Sequence, residues 1–275
     1  MLLIAGLGSQ MLAWSEEMCE NLANLGFFVI KFDNRDVGLS TKFDDAGMPN
    51  FLEINAAYTR GEIPKVPYTL EDMADDAIGV LDALNIDKAH ICGTSMGGMI
   101  AQVIAYRHLP RVLSLTLIMS TTGNPDLPQA KQEIMAQFFA PVPSEREAYI
   151  EETVKRGRLI HGTFAYDEDQ AREYRTKEYD RNYYPEGVAR QLAAMAVPGN
   201  LKPKLATIRA PTLVIHGRED PFNLVEAGKD IATAIPGAVL LILDGMGHSL
   251  PREVMPRILN GLVTISNKND QGIEK

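Results

Sequence analysis

Only two cysteines occur in the 275 residues, Cys19 and Cys92, too few for a disulfide framework and without metal-ligand spacing. Both are expected to be core thiols. Positive charge is also scarce, since 27 basic residues face 36 acidic ones for a net charge of −9. That balance argues against a phosphate backbone or an anionic membrane as the main partner, so neither nucleic acid nor a membrane is expected. No stretch approaches the ~18 uninterrupted apolar residues of a membrane span. The apolar start Met1-Leu2-Leu3-Ile4-Ala5 lacks the basic region of a secretion signal and breaks at Gly6 and Gly8. It is expected to be a strand entering a glycine turn, in a cytoplasmic protein.

The chain does have enough apolar residues, 45%, to bury one large core, or a core with a lid. Short apolar runs that read as strands cover Met1–Ala5, Phe27–Phe32, Lys88–Cys92, Arg111–Met119, Pro211–His216 and Ala238–Leu243. Helical patterns fall between them at Ala13–Leu25, after Thr69, at Met99–Tyr106, Leu224–Ile235 and Glu253–Ile265. Thr69-Leu70-Glu71-Asp72 resembles a capping box, with Met73, Ala77, Val80, Leu81 and Leu84 as the buried stripe. The segment carrying Gly47, Pro49, Gly61, Pro64 and Pro67 is expected to be too broken for long regular elements. Alternating strands and helices imply a parallel sheet with right-handed crossovers, whose ligands bind beyond the carboxyl ends of the strands.

From Ser120 to about Arg209 the alternation stops, and helical stretches near 129–139, 144–154, 168–179 and 186–195 follow one another without a clear strand. This predicts a core of residues 1–119 and 210–275 with a helical cap at 120–209. The tail Ser266–Lys275 is polar and expected to fray.

The strongest chemical signal is Gly93-Thr94-Ser95-Met96-Gly97-Gly98, a serine between glycines at the junction of a strand and a helix. In such a turn the serine backbone is strained, and a side chain at Gly93 or Gly97 would collide with the neighbouring strand or helix. Asp220 lies just past one later strand and His248 just past the next, so acid and base follow the serine in the order Ser95, Asp220, His248. Asp220 could instead cap a helix, and Glu219 is its nearest rival. His216 reads as a structural residue near the site. His90, His108 and His161 read as surface or packing residues. Asp33, Arg35 and Asp36 read as a structural ion-pair turn.

Together with Ala5-Gly6-Leu7-Gly8, Asp33-Asn34-Arg35-Asp36-Val37-Gly38-Leu39-Ser40, His216-Gly217-Arg218-Glu219-Asp220 and Gly245-Met246-Gly247-His248, these motifs resemble an α/β-hydrolase-fold serine esterase over nearly the whole chain. The third of these segments is more loosely similar to antibiotic-precursor methyl esterases and other small-molecule esterases. The resemblance implies a mostly parallel central sheet flanked by helices, with the cap inserted after the sixth family strand. It implies Ser95 as nucleophile, His248 as base, Asp220 as acid and the backbone N–H groups of Leu7 and Met96 as oxyanion hole. No cofactor or metal enters that chemistry. Two departures stand out. Many relatives carry histidine where this chain has Ala5, and the first one or two family strands are missing ahead of Met1. Either the native chain starts further upstream or the Phe27–Phe32 edge is left open, and that edge is then expected to be covered or to form a homodimer contact.

A small-molecule ester of moderate size, a lactone included, is the substrate this reading implies, bound by Gly6, Trp14, Met119, Phe138, Phe139 and Tyr184. Met135, Phe164, Tyr166, Tyr183 and Met195 are further aromatics and methionines that serve equally as core or wall. Trp14 could also staple the first helix to the sheet. A cofactor-free perhydrolase, a haloperoxidase-like enzyme or a C–C bond hydrolase would use the same three residues. A ligand receptor that retains the scaffold is the alternative from outside the enzymes.

Overall fold

The computed structural model describes residues 1–197 and 199–270. Six strands form one sheet in the order β2-β1-β3-β4-β5-β6: β1 Leu2–Ile4, β2 Ile30–Lys31, β3 Ala89–Thr94, β4 Val112–Ile118, β5 Thr212–Gly217 and β6 Val239–Leu243. Every pairing is parallel. The chain leaves β1 towards β2 and then crosses back to β3. The strand order therefore reverses between β1 and β3, the position at which open α/β sheets form their ligand crevice.

Two apolar layers cover the sheet, and alternation along the strands feeds both. Leu2 and Ile4 join the layer made with α3 (Leu70–Ala83), α4 (Met96–Arg107) and α10 (Val225–Ala234). Leu3 points into the other layer, with Met18 and Leu22 of α1 (Glu16–Asn24) and Ile258, Leu262 and Ile265 of α11 (Met255–Asp270). Cys92 is buried in that second layer, whereas Cys19 is only half-buried.

Several boundaries differ from the sequence reading. The stretch expected at Phe27–Phe32 keeps only Ile30 and Lys31 as strand, paired to Leu2 and Leu3, and Phe28 is 71% exposed beside this sheet edge. The first helix starts at Glu16, where Ser15 caps it, after a 3-10 turn at Met11–Ala13. The broken segment holds a nine-residue helix, α2 (Phe51–Thr59), because Asn50 accepts hydrogen bonds from Leu52 N and Glu53 N and Ile54 and Ala57 give it a buried face. The capping box at Thr69 and Asp72 forms. Met73, Ala77 and Leu81 of the expected stripe are buried, but Val80 is partly buried and Leu84, at the helix end, is exposed; Leu70, Ala74 and Ile78 complete the face.

Between β4 and β5 run α5 (Gln132–Phe138), α6 (Arg146–Ile160), α7 (Glu168–Asn182), α8 (Pro185–Ala196) and the single turn α9 (Lys202–Leu205). α11 continues to Asp270 instead of fraying at Ser266, and the rest of the expected tail lies outside the described residues. No described helix is long and apolar enough to cross a membrane.

Candidate active site

Ser95 is the single residue between β3 and α4, with φ 52° and ψ −118°. A non-glycine residue in that region is strained and needs fixed surroundings. Its N–H donates to Ile118 O at 2.9 Å, and its carbonyl accepts from Gly98 N, Met99 N and the Ser120 hydroxyl at 2.9–3.1 Å. A Cβ on Gly93 would stand 2.1 Å from Gly97 O, and one on Gly97 would stand 2.2 Å from Ile4 O. The elbow helix can thus pack only on glycine.

His248 lies between the serine and the acid, with Nε2 3.0 Å from Ser95 Oγ and Nδ1 2.7 Å from Asp220 Oδ2. Asp220 is buried and divides its oxygens: Oδ1 accepts from Phe222 N and Asn223 N, and Oδ2 faces the imidazole. It therefore organises its own turn as well as meeting the histidine, and it does not cap α10, which begins after Leu224. Glu219, the rival acid, accepts from Gly245 N at 2.6 Å and so pins the loop that carries His248. His216 Nε2 is 2.6 Å from Asn223 O and 3.6 Å from Asp220 Oδ2. Burial holds the His216 pKa below its ordinary value despite Asp220, so the neutral ring donates to Asn223 O. Asn223 Nδ2 in turn donates to Met119 O at 2.9 Å.

The His248 loop is also held from the insertion. Thr163 N donates to Gly245 O, Gly247 N to His161 O and His248 N to Ile160 O, at 2.6–3.2 Å, while Ser249 Oγ lies 3.0 Å from His161 Nδ1. His161 thus packs behind the base loop. Nothing in the sequence signals this, because backbone bonds between segments so far apart leave no side-chain motif.

On the other flank, a Cβ on Gly6 would lie 3.3 Å from Ser95 Cβ, so the Gly6–Gly8 loop borders the serine. Met96 opens α4, where a helical N–H has no partner within the helix. The Asp33–Asp36 turn supports the loop: Asn34 Nδ2 donates to Ala5 O, and Asp33 accepts from Met11 N and Leu39 N. The acids of this turn do not pair within it. Asp33 meets Arg181 at 2.7 Å, Asp36 meets Arg190 at 2.8 Å, and Arg35 meets Asp76 of α3 at 2.6 Å. Burial works against both aspartates, but hydrogen bonds from Arg181 and backbone amides outweigh it at Asp33, and Arg190 with Phe43 N outweighs it at Asp36, so both carboxyls sit below their ordinary pKa.

The expected wall residues separate into groups. Phe138 packs on Phe222 with ring centroids 4.5 Å apart, Phe222 packs edge-on against His248 at 5.3 Å, and Phe139 adjoins Phe138 at 5.4 Å. Phe222 escaped the sequence reading although it stands two residues after Asp220. Met119 is buried at φ 46° in the second apolar layer. Trp14 is 1% exposed in that same layer, in one cluster with Met18 and Leu22 of α1, as a staple would be. Tyr184 bonds Asp44 and Arg190 through its hydroxyl.

A family model described as alpha/beta hydrolase fold matches residues 1–251. Rhodomycin D methylesterase DauP of Streptomyces sp. (strain C5) is 30% identical, with 92% of this chain and 86% of that protein covered. A 2-hydroxy-6-oxononadienedioate/2-hydroxy-6-oxononatrienedioate hydrolase of Cupriavidus pinatubonensis is 32% identical over 62% of this chain and 59% of its own length. Among solved structures, a thermophilic esterase from Thermogutta terrifontis superposes with a TM-score of 0.70 at 26% identity, covering 96% of this chain and 89% of that one.

Proposed function

The chain belongs to the alpha/beta hydrolase fold family, and from that premise we propose that it is a serine carboxylesterase acting on hydrophobic esters of small to medium size, lactones included. The observation that carries this reading is the line from Asp220 Oδ2 through His248 to Ser95 Oγ, with steps of 2.7 and 3.0 Å. Asp220 accepts the Nδ1 proton, so the Nε2 lone pair faces the serine hydroxyl. His248 takes that proton as Oγ attacks the ester carbonyl. The tetrahedral oxyanion is received by Leu7 N and Met96 N, an electrostatic contribution worth about 10²–10³ in rate for a single donor. Collapse releases the alcohol, protonated by His248, and leaves acyl-Ser95. Water, deprotonated by the same imidazole, then frees the acid.

The methylesterase relative supports ester chemistry, and the Phe138–Phe222 rings beside His248 support an apolar substrate. Incubation with p-nitrophenyl butyrate and a fluorophosphonate tests the reading. Turnover together with a phosphonylated Ser95 is expected; an intact protein that gives neither overturns it. The hydrolase from Cupriavidus favours a second reading, C–C bond cleavage on the same residues. Comparing kcat/KM for esters, lactones and a vinylogous diketone decides between them.

A further inference from the structure

We infer that Gln191, on α8 of the helical insertion, is a positioning residue that holds the oxyanion loop in register with Ser95. The inference rests on the serine esterase reading. Gly8 N donates to Gln191 Oε1 at 2.8 Å, and Gln191 Nε2 donates to Arg35 O at 2.8 Å. The side chain is wholly buried. Its amide therefore has one usable orientation, acceptor towards the loop and donor towards the Asp33–Asp36 turn, since a flip would set donor against donor.

The loop's own bonds are few and long. Ala5 offers only a methyl group, Gly6 and Gly8 have no side chains, and the internal bonds both come from Ser9, its N–H to Gly6 O at 3.2 Å and its hydroxyl to Leu7 O at 3.5 Å. Gly8 has φ +66°, the third position of the Gly6–Ser9 turn, which a residue with a Cβ adopts only at a cost. The peptide that carries Leu7 N–H is anchored through its own carbonyl, Gly6 O, by Ser9 N, and two outside bonds hold the peptides on either side of it: Asn34 Nδ2 on Ala5 O at 3.0 Å before it, and Gln191 Oε1 accepting from Gly8 N after it. Fixing both neighbouring peptides seats this turn, and with it Leu7 N–H, against Ser95. An oxyanion donor contributes only when it is aimed before charge develops, and a displacement of about 1 Å costs on the order of 10² in rate.

α8 is in turn rigidly seated. Its Gly187 lies so close to the turn that a Cβ would stand 1.9 Å from Asp36 O, and Val188 would stand 3.1 Å from a Cβ at Gly8. Arg190, the residue before Gln191, is sealed against Asp36 with both side chains at most 2% exposed. The acceptor for Gly8 N–H thus comes from a helix that cannot swing without breaking a buried ion pair.

Gln191→Met, which keeps length and removes both hydrogen bonds, is expected to lower kcat about 10- to 100-fold with KM within about threefold. The affinity of a trifluoromethyl ketone, whose adduct needs the oxyanion hole, should fall in the same proportion, with the pH profile of kcat/KM little changed and the melting temperature lower by several degrees because Gly8 N–H and Arg35 O lose their partner. Gln191→Glu, which keeps an acceptor for Gly8 N–H, should recover most of the lost kcat. In the wild-type protein, the Gly8 amide should exchange with solvent as slowly as amides of β3. A folded Gln191→Met with wild-type kcat and unchanged ketone affinity overturns the inference, as does a folded Gln191→Glu as slow as Gln191→Met. If the variants fail to fold, fast exchange at Gly8 overturns it and slow exchange supports it. A wild-type protein that neither turns over esters nor labels at Ser95 defeats the esterase reading, which separates that failure from this one.

Discussion

The two flanks of Ser95 are built from different forces. On the glycine-loop side, α7 and α8 are tied to the Asp33–Asp36 turn and the loop by buried charge and directional hydrogen bonds: Arg181 to Asp33, Arg190 to Asp36, Gln191 Nε2 to Arg35 O and Gly8 N to Gln191 Oε1. On the acid-loop side, α5 meets the site through edge-to-face rings, Phe138 against Phe222 and Phe222 against His248, and Phe139 is 44% exposed. Aromatic contacts of this kind are worth about 0.5–1.5 kcal/mol beyond their area and can slide. A buried ion pair that loses one member costs about 3–5 kcal/mol and cannot. Under the proposed esterase function, the difference suits a site whose oxyanion donors must stay aimed while its apolar wall adapts to the acyl or alcohol group.

Ser95→Ala gives the reference against which both flanks are read. It should lower turnover by at least about 10³-fold, measured with p-nitrophenyl butyrate, while the melting temperature stays near wild type, because the elbow is held by backbone bonds and glycine packing. Arg190→Met comes next. It strands the Asp36 carboxylate in a buried site and should cost about 3–5 kcal/mol, a fall of roughly 10 °C in melting temperature by calorimetry. A melting temperature within about 2 °C of wild type would break the comparison, since the polar flank would then be no firmer than the aromatic one.

Phe222→Ala should act on substrate choice more than on stability. We expect kcat/KM for aryl esters to drop about tenfold relative to acetate esters, mainly through KM, with a small change in melting temperature. An equal drop for both ester types would mean that Phe222 orients His248 instead of contacting substrate.

The smallest effect is the acid limit of stability. The folded-state pKa values of Asp33 and Asp36 lie below their ordinary values. Their contribution is therefore complete above the unfolded carboxyl pKa of about 3.9 and is lost as pH falls through the lower folded values. Fluorescence of Trp14, the one tryptophan, should report loss of structure below about pH 4, and Arg190→Met should move that transition to higher pH.

The strand–helix alternation, the elbow and the order of acid and base were legible in the chain because each is a local pattern. A glycine needed for close approach, a short apolar run along a buried strand and a polar residue just past a strand all leave marks within ten residues. α2 was missed because its glycine- and proline-rich flanks hid a cap at Asn50, and β2 shrank because a sheet edge needs only a few residues to pair. The partners of the Asp33–Asp36 turn were assigned too locally: charges adjacent in sequence looked self-sufficient, whereas a turn facing a packed helix pairs outward.

The sequence by itself determined the α/β alternation, the helical run between β4 and β5, and which serine, aspartate and histidine stand at strand ends. Only the tertiary structure decided that His248 reaches Ser95 across β4 and β5, that backbone groups at 160–163 clamp its loop, and that Gln191 meets Gly8 N–H. The reason is one of range. Propensity and periodicity act over a few residues, whereas a hydrogen bond between positions 183 apart exists only after the sheet and the insertion have packed and excluded water from both partners.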